Sequence, residues 1–323
     1  METVGIDIAK RKFDLRWLSE KTGKAKNKVF DNTADGHADV LAWLAKQNID
    51  PANCHVAMEA TSQYWEALAT VLFDAGFTVS VINPLQIKSF GDAVMRRQKT
   101  DKADADLIAQ FCAKTKPAPW QPPPREVREL QRLIARLEAV TGMHVQEKNR
   151  LHESAGIALE SVERVAGTLD KEEALLRKLI HDHIDRHPGL RQQNELLTSI
   201  PGVGNGVSSN FIAWLPAERL TTRQAVAFVG LSPSHRQSGT SVHGKSHLSK
   251  LGHARLRKAL YLPAMSAIQY NPAAKALYAR LRAAGKGGKV ALVAVMRKMV
   301  HWMVAVLKTK MPFDPKMALA KPA

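Results

Sequence analysis

Alternating apolar patterns in the first 82 residues constrain the fold of this chain more than any other feature. Three apolar runs come first, and the second of them, Lys12 to Leu18, alternates as a half-exposed strand does. Helical spacing then alternates with short buried runs, so the predicted order is three strands, helix, strand, helix, strand, helix. The predicted strands are 3–7, 12–18, 25–30, 55–60 and 77–82, and the helices between them are 33–47 and 64–75.

This order predicts a mixed sheet in which antiparallel strands continue into parallel α/β units. It is the order of the ribonuclease-H-like (RuvC-like) fold, in which the first and fourth strands lie side by side. We therefore expect the fold class to be α/β at the N-terminus and mainly α in the remainder of the chain.

Five prolines between 117 and 124 mark a stiff segment in which helices cannot continue. After it, Leu, Ile and Val recur at three-to-four spacing through 127–151 and 159–187, which predicts two long helices. Their interspersed charges are typical of a solvent-exposed spacer or oligomerisation arm. We expect four segments: a RuvC-like domain at 1–116, a linker at 117–126, a helical hairpin or coiled-coil arm at 127–190, and a mainly helical domain at 191–323.

The last segment contains a tight turn between two helical patterns, Ile200-Pro201-Gly202-Val203-Gly204. A turn of this kind presents backbone amides at a helix N-terminus, where a phosphate binds well. The pattern resembles the helix-hairpin-helix element of DNA-repair and recombination proteins. It predicts nucleic-acid contacts at Gly202 and Gly204.

Charge is distributed unevenly along the chain. Residues 201–323 contain 19 Lys and Arg but only two carboxylates, Glu218 and Asp314, whereas residues 1–200 contain 28 basic and 28 acidic residues. Lysine and arginine gain affinity for nucleic acid by displacing counterions from its phosphates. The C-terminal part is therefore predicted to bind a polyanion.

Other features of the sequence predict a cytoplasmic protein. Cys54 and Cys112 are the only cysteines, too few for a disulfide framework, and they suit a reducing compartment. The N-terminal residues lack the pattern of a secretory signal. The apolar stretch from Lys289 to Lys308 is interrupted by charged residues, which favours a core helix over a membrane span.

Four carboxylates form the candidate chemical site. Asp7 and Glu59 close the first and fourth predicted strands and should meet at one sheet edge, while Asp101 and Asp104 share a face at the start of a helix. Carboxylates held this close repel one another unless a hard cation neutralises them. The set predicts two Mg²⁺ ions about 3.5–4 Å apart. Alternatively, Asp101 and Asp104 only favour the helix dipole.

A basic loop follows the predicted turn region. Six serines lie between 232 and 249, and the residues alone do not single out a nucleophile, because a serine in such a loop commonly hydrogen-bonds a phosphate or a turn. Six cations around the loop are predicted to bind nucleic-acid phosphates, unless they form only a solvent-facing patch. They are Arg236, Lys245, Lys250, Arg255, Arg257 and Lys258.

Over nearly the full length, the chain resembles the DEDD insertion-sequence transposases, relatives of the pilin-gene invertases. The motifs that carry the resemblance are Gly5-Ile6-Asp7, Met58-Glu59-Ala60-Thr61, Ile82-Asn83-Pro84, Lys99-Thr100-Asp101 through Asp104, and Ile200 through Gly204. The resemblance implies that Asp7, Glu59, Asp101 and Asp104 bind Mg²⁺. It also implies a nucleophilic serine within Ser238-Gly239-Thr240-Ser241-Val242-His243-Gly244, which points to Ser238, with Ser241 as its main competitor.

The same resemblance implies a bacterial, nucleoid-associated recombinase that acts on donor and target DNA through a phosphoserine intermediate. A noncoding bridge RNA would guide it, and a dimer or tetramer would pair one protomer's acids with another's serine. Three alternatives stay open. They are a RuvC-like endonuclease that hydrolyses DNA without a serine, a sugar-kinase-like ATPase that shares the opening Gly5-Ile6-Asp7, and a protein that only binds nucleic acid.

Overall fold

The protein folds as two units, residues 1–123 and residues 124–323, in the computed structural model. The structure describes residues 2–20, 22–60, 64–95, 101–234, 237–238, 242–243, 247–249 and 251–316. At 101–102, 237–238 and 242–243 it describes the backbone alone.

A five-stranded sheet forms the centre of the first unit. Its strands are β1 (Glu2–Ile8), β2 (Lys12–Ser19), β3 (Ala25–Asp31), β4 (Cys54–Glu59) and β5 (Thr78–Ile82). They lie in the order β3-β2-β1-β4-β5, and β1 is antiparallel to β2 and parallel to β4. The prediction that the first and fourth strands are neighbours is confirmed.

Four helices cover the two faces of this sheet: α1 (Ala34–Lys46), α2 (Glu66–Asp74), α3 (Pro84–Ala93) and α4 (Asp101–Thr115), with a 3-10 turn at Pro51–Asn53. The Thr33 hydroxyl accepts a hydrogen bond from the Gly36 amide and so caps α1. Residues that alternate along each strand divide between two cores. Val4 and Ile6 pack with α1 and α2, whereas Ala57 packs with α3 and α4.

β3 is the exposed edge of the sheet. Its residues 25–29 are exposed, and they include Lys26 and Lys28. The Lys26 ammonium lies 5.9 Å from the centre of the Trp17 ring, and that of Lys28 lies 5.3 Å from the Phe30 ring. The two lysines therefore extend along aromatic surface on this edge.

The first half of the proline-rich segment belongs to the first unit. The Ser80 hydroxyl, on β5, donates to the carbonyl oxygens of Pro117 and Ala118 at 3.1 and 2.9 Å. The Trp120 amide donates to the Val79 carbonyl at 2.6 Å, and its ring packs edge-on against Trp65. The division between units thus lies at 123/124, inside the predicted linker of 117–126, because Trp120 fastens residues 117–120 to the sheet.

The second unit is mainly helical. Its helices are α5 (Arg125–Leu151), α6 (Ile157–Arg186), α7 (Pro188–Thr198), α8 (Asn205–Trp214), α9 (Thr222–Val229), α10 (Ala254–Ala259), α11 (Tyr261–Tyr270), α12 (Pro272–Ala283) and α13 (Gly288–Thr309). Between α9 and α10 lie four two-residue strands, β6 (Pro233–Ser234), β7 (Gln237–Ser238), β8 (Val242–His243) and β9 (His247–Leu248).

Helix α13 lies at the centre of the second core. Among the described helices it is the one long and apolar enough to cross a membrane by length and composition. Its Val295, Met299 and Val300 are fully buried against the other helices, as predicted for a core helix. Leu130 of α5 and Ile180 of α6 belong to the same core, so the predicted arm of 127–190 and the C-terminal helices share one packed interior.

Farther from that core, α5 and α6 also contact each other through polar side chains. The Nδ1 atom of the buried His144 lies 2.9 Å from Oε1 of Glu173, and Arg177 also reaches Glu173 at 3.2 Å. Residues 127–190 contain 10 Lys and Arg and 11 Asp and Glu. Positive charge on this arm is therefore balanced, unlike that of the C-terminal helices.

Candidate active site and nucleic-acid surface

Asp7 and Glu59 lie side by side where β1 and β4 end. The parallel register pairs Gly5 with Ala57 and Ile6 with Met58, and the two acids follow directly. Neighbouring strands are about 4.8 Å apart, and residues two positions apart point to the same face of a sheet. Asp7 and Glu59 therefore lie on the face of Gly5 and Ala57, which is the face covered by α4. Both acids are half-buried.

Helix α4 runs antiparallel to β1 at very close range. A Cβ atom added to Gly5 would lie 2.3 Å from the Ala105 carbonyl oxygen and 2.2 Å from the Ala109 amide nitrogen. Farther along α4, Cys112 Sγ lies 3.9 Å from the carbonyl oxygen of His55, and His55 is paired with Thr3 at the start of β1. The first turn of α4 consequently lies at the opposite end, where Asp7 and Glu59 are found.

The rise per residue of a strand and of a helix places the four acids at similar distances from Gly5, measured along the direction of β1. Asp7 is two residues beyond Gly5, or about 6.7 Å along the strand. Gly5 is level with position 107 of α4, so the backbone of Asp104 lies about 4.5 Å and that of Asp101 about 9 Å toward the same edge. The fold thus brings the backbones of all four predicted acids to one place, which we call the carboxylate edge.

The carboxylate edge suits a hard divalent cation, because its donors are carboxylate oxygens from three separate elements. Among the described side chains, which do not include that of Asp101, no three metal-ligating groups are gathered closely enough to hold an ion. Asp106 has a different role, since its Oδ1 lies 2.8 Å from Nε of Arg16 and its Oδ2 accepts from Gln110. Asp106 therefore ties α4 to β2.

Ser238 lies in a nested hairpin. β6 pairs with β9, and inside that pair β7 is antiparallel to β8, with Ser238 opposite Val242. The Ser249 amide donates to the Ser232 carbonyl at 3.0 Å and extends the outer pair. The side chain of Ser238 and the whole of Ser241 lie outside the described residues. We call residues 230–252 the serine hairpin.

Two glycines close the base of the serine hairpin. Gly230 ends α9 with φ of +78°, and Gly252 has φ of +138°. A Cβ atom on Gly252 would lie 2.5 Å from the Phe228 carbonyl oxygen and 2.6 Å from the Gly230 amide nitrogen. The His253 amide donates to that Phe228 carbonyl at 2.6 Å. Only glycine fits where the two ends of the serine hairpin approach each other so closely.

Two of the cations predicted to bind phosphate also have protein partners. Nη2 of Arg255 lies 2.7 Å from Oε2 of Glu138, and its guanidinium lies 4.6 Å from the centre of the Trp214 ring. Nη1 of Arg257 donates to the Val229 carbonyl, at the end of α9, at 3.1 Å. Arg255 and Arg257 therefore tie α10 to α5, α8 and α9.

Of the other four predicted cations, the structure describes one. Lys258 is exposed on α10 and available to solvent. Arg236, Lys245 and Lys250 lie outside the described residues.

His253 begins α10 as a neutral residue. Its Nδ1 accepts a hydrogen bond from the Leu256 amide, and its ring stacks on Phe228 at 5.8 Å. Burial, and then the charges of Arg255 and Arg257, lower the pKa of His253 to about 4. The imidazole is consequently uncharged near neutral pH and adds no positive charge to the surface.

The predicted phosphate-binding turn joins α7 to α8, and its two glycines differ. Gly202 has φ of +99°, and a Cβ atom on it would lie 2.9 Å from the backbone nitrogen of Ala267 on α11. Gly204 precedes α8 as its N-cap, is exposed, and has open space around its Cα. Gly202 is thus required for packing, whereas Gly204 leaves the start of α8 accessible.

A group of exposed cations that was not predicted lies on α12, on α13 and in the turn between them. They are Lys275, Arg280, Arg282, Lys286 and Lys289, and all are exposed. The signal was present in the sequence, because residues 219–313 contain 17 Lys and Arg and no Asp or Glu. We call these five residues the α12–α13 basic surface.

Comparisons with known proteins agree with this architecture. Residues 4–155 match the IS110-type DEDD transposase family, and residues 194–279 match the transposase family described as IS116/IS110/IS902. The pilin gene-inverting protein of Moraxella bovis is 31% identical over 97% of this chain and 98% of its own length, and that of Moraxella lacunata gives the same values. The uncharacterized 43.6 kDa protein of insertion element IS110 from Streptomyces coelicolor is 28% identical over 44% of this chain and 34% of its own. The chain therefore belongs to the IS110 family of DEDD transposases, enzymes that transpose DNA and are related to the pilin gene-inverting proteins.

Proposed function

We propose that this transposase is a site-specific recombinase that cleaves and rejoins DNA through a covalent link to Ser238. Similarity over 97% of the chain to proteins named for inverting a pilin gene supports recombination rather than simple hydrolysis. The position of Ser238 within a hairpin that two glycines close supports a hydroxyl presented on a defined loop.

The proposed metal ligands are Asp7, Glu59, Asp101 and Asp104, in a domain of ribonuclease-H-like fold. The observation that supports them most is the direction of α4, whose first turn lies at the sheet edge where β1 and β4 end. Two bound Mg²⁺ ions would activate an attacking oxygen and stabilise a leaving one. The chain's own part is to hold carboxylates from three elements at that edge.

In the proposed cleavage step, Oγ of Ser238 attacks the scissile phosphorus. The new Oγ–P bond forms as the bond from phosphorus to a deoxyribose oxygen breaks, the serine loses its proton to solvent, and the departing oxygen gains one. In rejoining, a hydroxyl on another DNA end attacks the phosphoserine and Oγ leaves with a proton. Each phosphoester bond broken is replaced by another, so no nucleotide hydrolysis is required.

The proposed partners are donor DNA, target DNA and a noncoding bridge RNA that supplies sequence recognition by base pairing. Gly204, at the accessible start of α8, and the exposed Lys258 are proposed to contact phosphates. The α7–α8 pair would then act as a helix-hairpin-helix element. A dimer or tetramer is proposed to pair the acids of one protomer with the serine of another.

The decisive experiment compares Ser238→Ala with Ser241→Ala in protein purified with its RNA and supplied with Mg²⁺ and donor DNA. We expect Ser238→Ala to lower recombination by roughly 10³-fold or more and to abolish a protease-sensitive protein–DNA adduct that maps to Ser238. Ser241→Ala should retain the adduct. Cleavage by Ser238→Ala at the wild-type rate would instead identify an endonuclease that hydrolyses DNA with water.

The acids are tested separately. We expect Asp104→Asn to keep the fold and lose Mg²⁺-dependent cleavage, because the amide cannot donate a charged oxygen to the cation. Unchanged product formation by Asp104→Asn would contradict the proposed metal site and favour a protein that only binds nucleic acid.

A further inference from the structure

We infer that the α12–α13 basic surface binds the phosphate backbone of duplex DNA. The inference rests on the DNA substrate of the proposed function but not on the serine or the four acids. Most of this surface, from Arg280 to Lys289, lies beyond the residues 194–279 that match the transposase family.

The charge of this surface is uncompensated. Residues 219–313 contain no carboxylate, and within the described part of the chain none of the five cations forms an ion pair. Three arginines elsewhere in the second unit differ, since Arg125, Arg177 and Arg255 each lie within 3.2 Å of a glutamate oxygen. Five exposed charges with no local counter-charge attract a polyanion at long range and release its counterions on contact.

The helix surface between these cations is formed by small residues. Ala276, Ala279 and Ala283 are exposed between the cations of α12, and Pro272 is exposed at its start, so the long cationic side chains extend beyond their small neighbours. Lys275 and Arg282 are seven residues apart, or about 10.5 Å along the helix. That distance corresponds to about three base pairs of duplex, so one face of α12 can reach several phosphates of a strand.

The turn between α12 and α13 is held in place by its own contacts. Nη1 of Arg282 donates to the Lys286 carbonyl at 2.8 Å, which fixes the end of α12 against the turn. Leu277 and Tyr278 pack against the core that contains α13, and the Tyr278 hydroxyl lies 3.4 Å from the position of a Cβ atom on Gly288. The cations are therefore carried on an ordered support, which reduces the entropy lost on binding.

Duplex DNA is the partner that these features favour. A protein partner normally buries large apolar or aromatic side chains at the centre of an interface, and the exposed positions of α12 are Pro272, three alanines and three cations. The family of the chain acts on DNA, whose backbone presents closely spaced negative charge.

The test is the salt dependence of DNA binding by the full chain, measured by fluorescence anisotropy without divalent cation so that no cleavage occurs. One variant combines Lys275→Gln, Arg280→Gln, Lys286→Gln and Lys289→Gln, and it retains Arg282 because that residue fixes the turn. The matched control removes the same four charges from exposed sites of the arm, by Lys148→Gln, Lys171→Gln, Lys178→Gln and Arg186→Gln.

We expect the α12–α13 variant to bind duplex DNA at least tenfold more weakly near 0.15 M salt. The slope of log K against log salt should become shallower by about 3.6, since each lost phosphate contact removes about 0.9. The arm control should change the slope by less than about 1, and both variants should melt at the wild-type temperature.

Four results would overturn the inference. If the wild-type protein binds DNA and recombines it, but the α12–α13 variant has the wild-type slope, the inference about this surface is wrong and the proposed function is unaffected. Equal effects of the two variants indicate a general charge effect, and a loss of affinity for structured RNA but not for duplex DNA assigns the surface to RNA. If the wild-type chain itself binds no duplex DNA, the proposed function fails together with this inference.

Discussion

The carboxylate edge and the serine hairpin are positioned by different kinds of packing. At the carboxylate edge, backbone lies directly on backbone, because α4 crosses β1 at Gly5 without an intervening side chain. The described strands of the serine hairpin have two residues each. Its described contacts with the second core are at its base, through Gly252 and the Phe228 carbonyl, and through Leu231 and Leu248. The position of the carboxylate edge depends on the buried contact of α4 with β1, and the position of the serine hairpin depends on the close contact at Gly252.

The two regions are therefore vulnerable to different substitutions. Added volume at Gly5 must move a whole helix, since the atoms it would meet belong to the backbone of α4. Added volume at Gly252 needs only a shift of the hairpin base. We therefore expect failure at the carboxylate edge to appear as lost stability, and failure at the serine hairpin to appear as lost activity in a folded protein.

The largest expected effect follows Gly5→Ala. The new methyl group would lie within 2.3 Å of two backbone atoms of α4, so the first unit should lose about 3 kcal/mol or more of stability and all cleavage activity. Gly167→Ala is the control, because that exposed glycine of α6 has open space and helix propensity favours alanine by up to about 1 kcal/mol. Denaturant unfolding of both variants measures this, and a Gly5→Ala protein of wild-type stability would refute the close contact.

Gly252→Ala should have the next largest effect. Its φ of +138° and its distance of 2.5 Å from the Phe228 carbonyl predict a loss of about 2 kcal/mol and a displaced serine hairpin. Recombination should fall much further than the melting temperature does. Gly156→Ala tests backbone strain alone, since its φ is +58° with no atom nearby, and it should lose about 1 kcal/mol while keeping activity. Equal activity of the two variants would contradict the role of the hairpin base.

Acid should weaken the support of the hairpin through His253. Its pKa in the folded protein is about 4 and its ordinary value is 6.5, so below pH 6.5 the unfolded chain takes up a proton that the folded chain refuses. Stability should therefore fall as pH is lowered from 6.5 toward 4. The full difference in pKa corresponds to about 3 kcal/mol, and solvent screening of the partly exposed ring reduces this to roughly 1–2 kcal/mol.

His253→Asn keeps a side chain able to cap α10 and removes the titration. We expect its stability to vary less with pH than that of the wild type, as measured by denaturant unfolding at pH 7 and pH 4.5. Some variation should remain, because burial also lowers the pKa values of His37, His55 and His301. An unaltered pH dependence would show that His253 does not carry this linkage.

The smallest expected effects separate Arg255 from Lys258. Arg255→Ala removes the contacts with Glu138 and Trp214 and should lower stability by about 1 kcal/mol with little change in the salt dependence of DNA binding. Lys258→Ala should leave stability within about 0.5 kcal/mol and make the salt slope shallower by about 0.9. The opposite pattern would show that Arg255 faces the nucleic acid.

Local periodicity was sufficient to predict the element order of the first unit and the meeting of Asp7 with Glu59. Strand and helix patterns depend on neighbouring residues, and Asp7 and Glu59 each stand at the end of a predicted strand. The sequence did not show how α4 approaches the sheet. A glycine within a strand has several explanations, and only the packing of Ala105 and Ala109 on Gly5 selects one of them.

Contacts between distant residues account for what the sequence analysis missed. Arg255 and Arg257 resemble any other exposed cation in the sequence, and their partners, Glu138 and Val229, are far away along the chain. The boundary after residue 120 likewise depends on the hydrogen bond from the Trp120 amide to Val79. Charge counts located the basic part of the chain, but burial and pairing decide which of its cations remain available.

The two lysines along β3 also limit how copies of this protein can assemble. An open sheet edge offers unpaired amides and carbonyls to any passing strand, and charged, well hydrated side chains oppose such pairing. A second copy joining at this edge would bring Lys26 and Lys28 against their own counterparts. Assembly into fibres by addition of strands at β3 is thereby disfavoured, so the sheet keeps its five strands when the protein is concentrated.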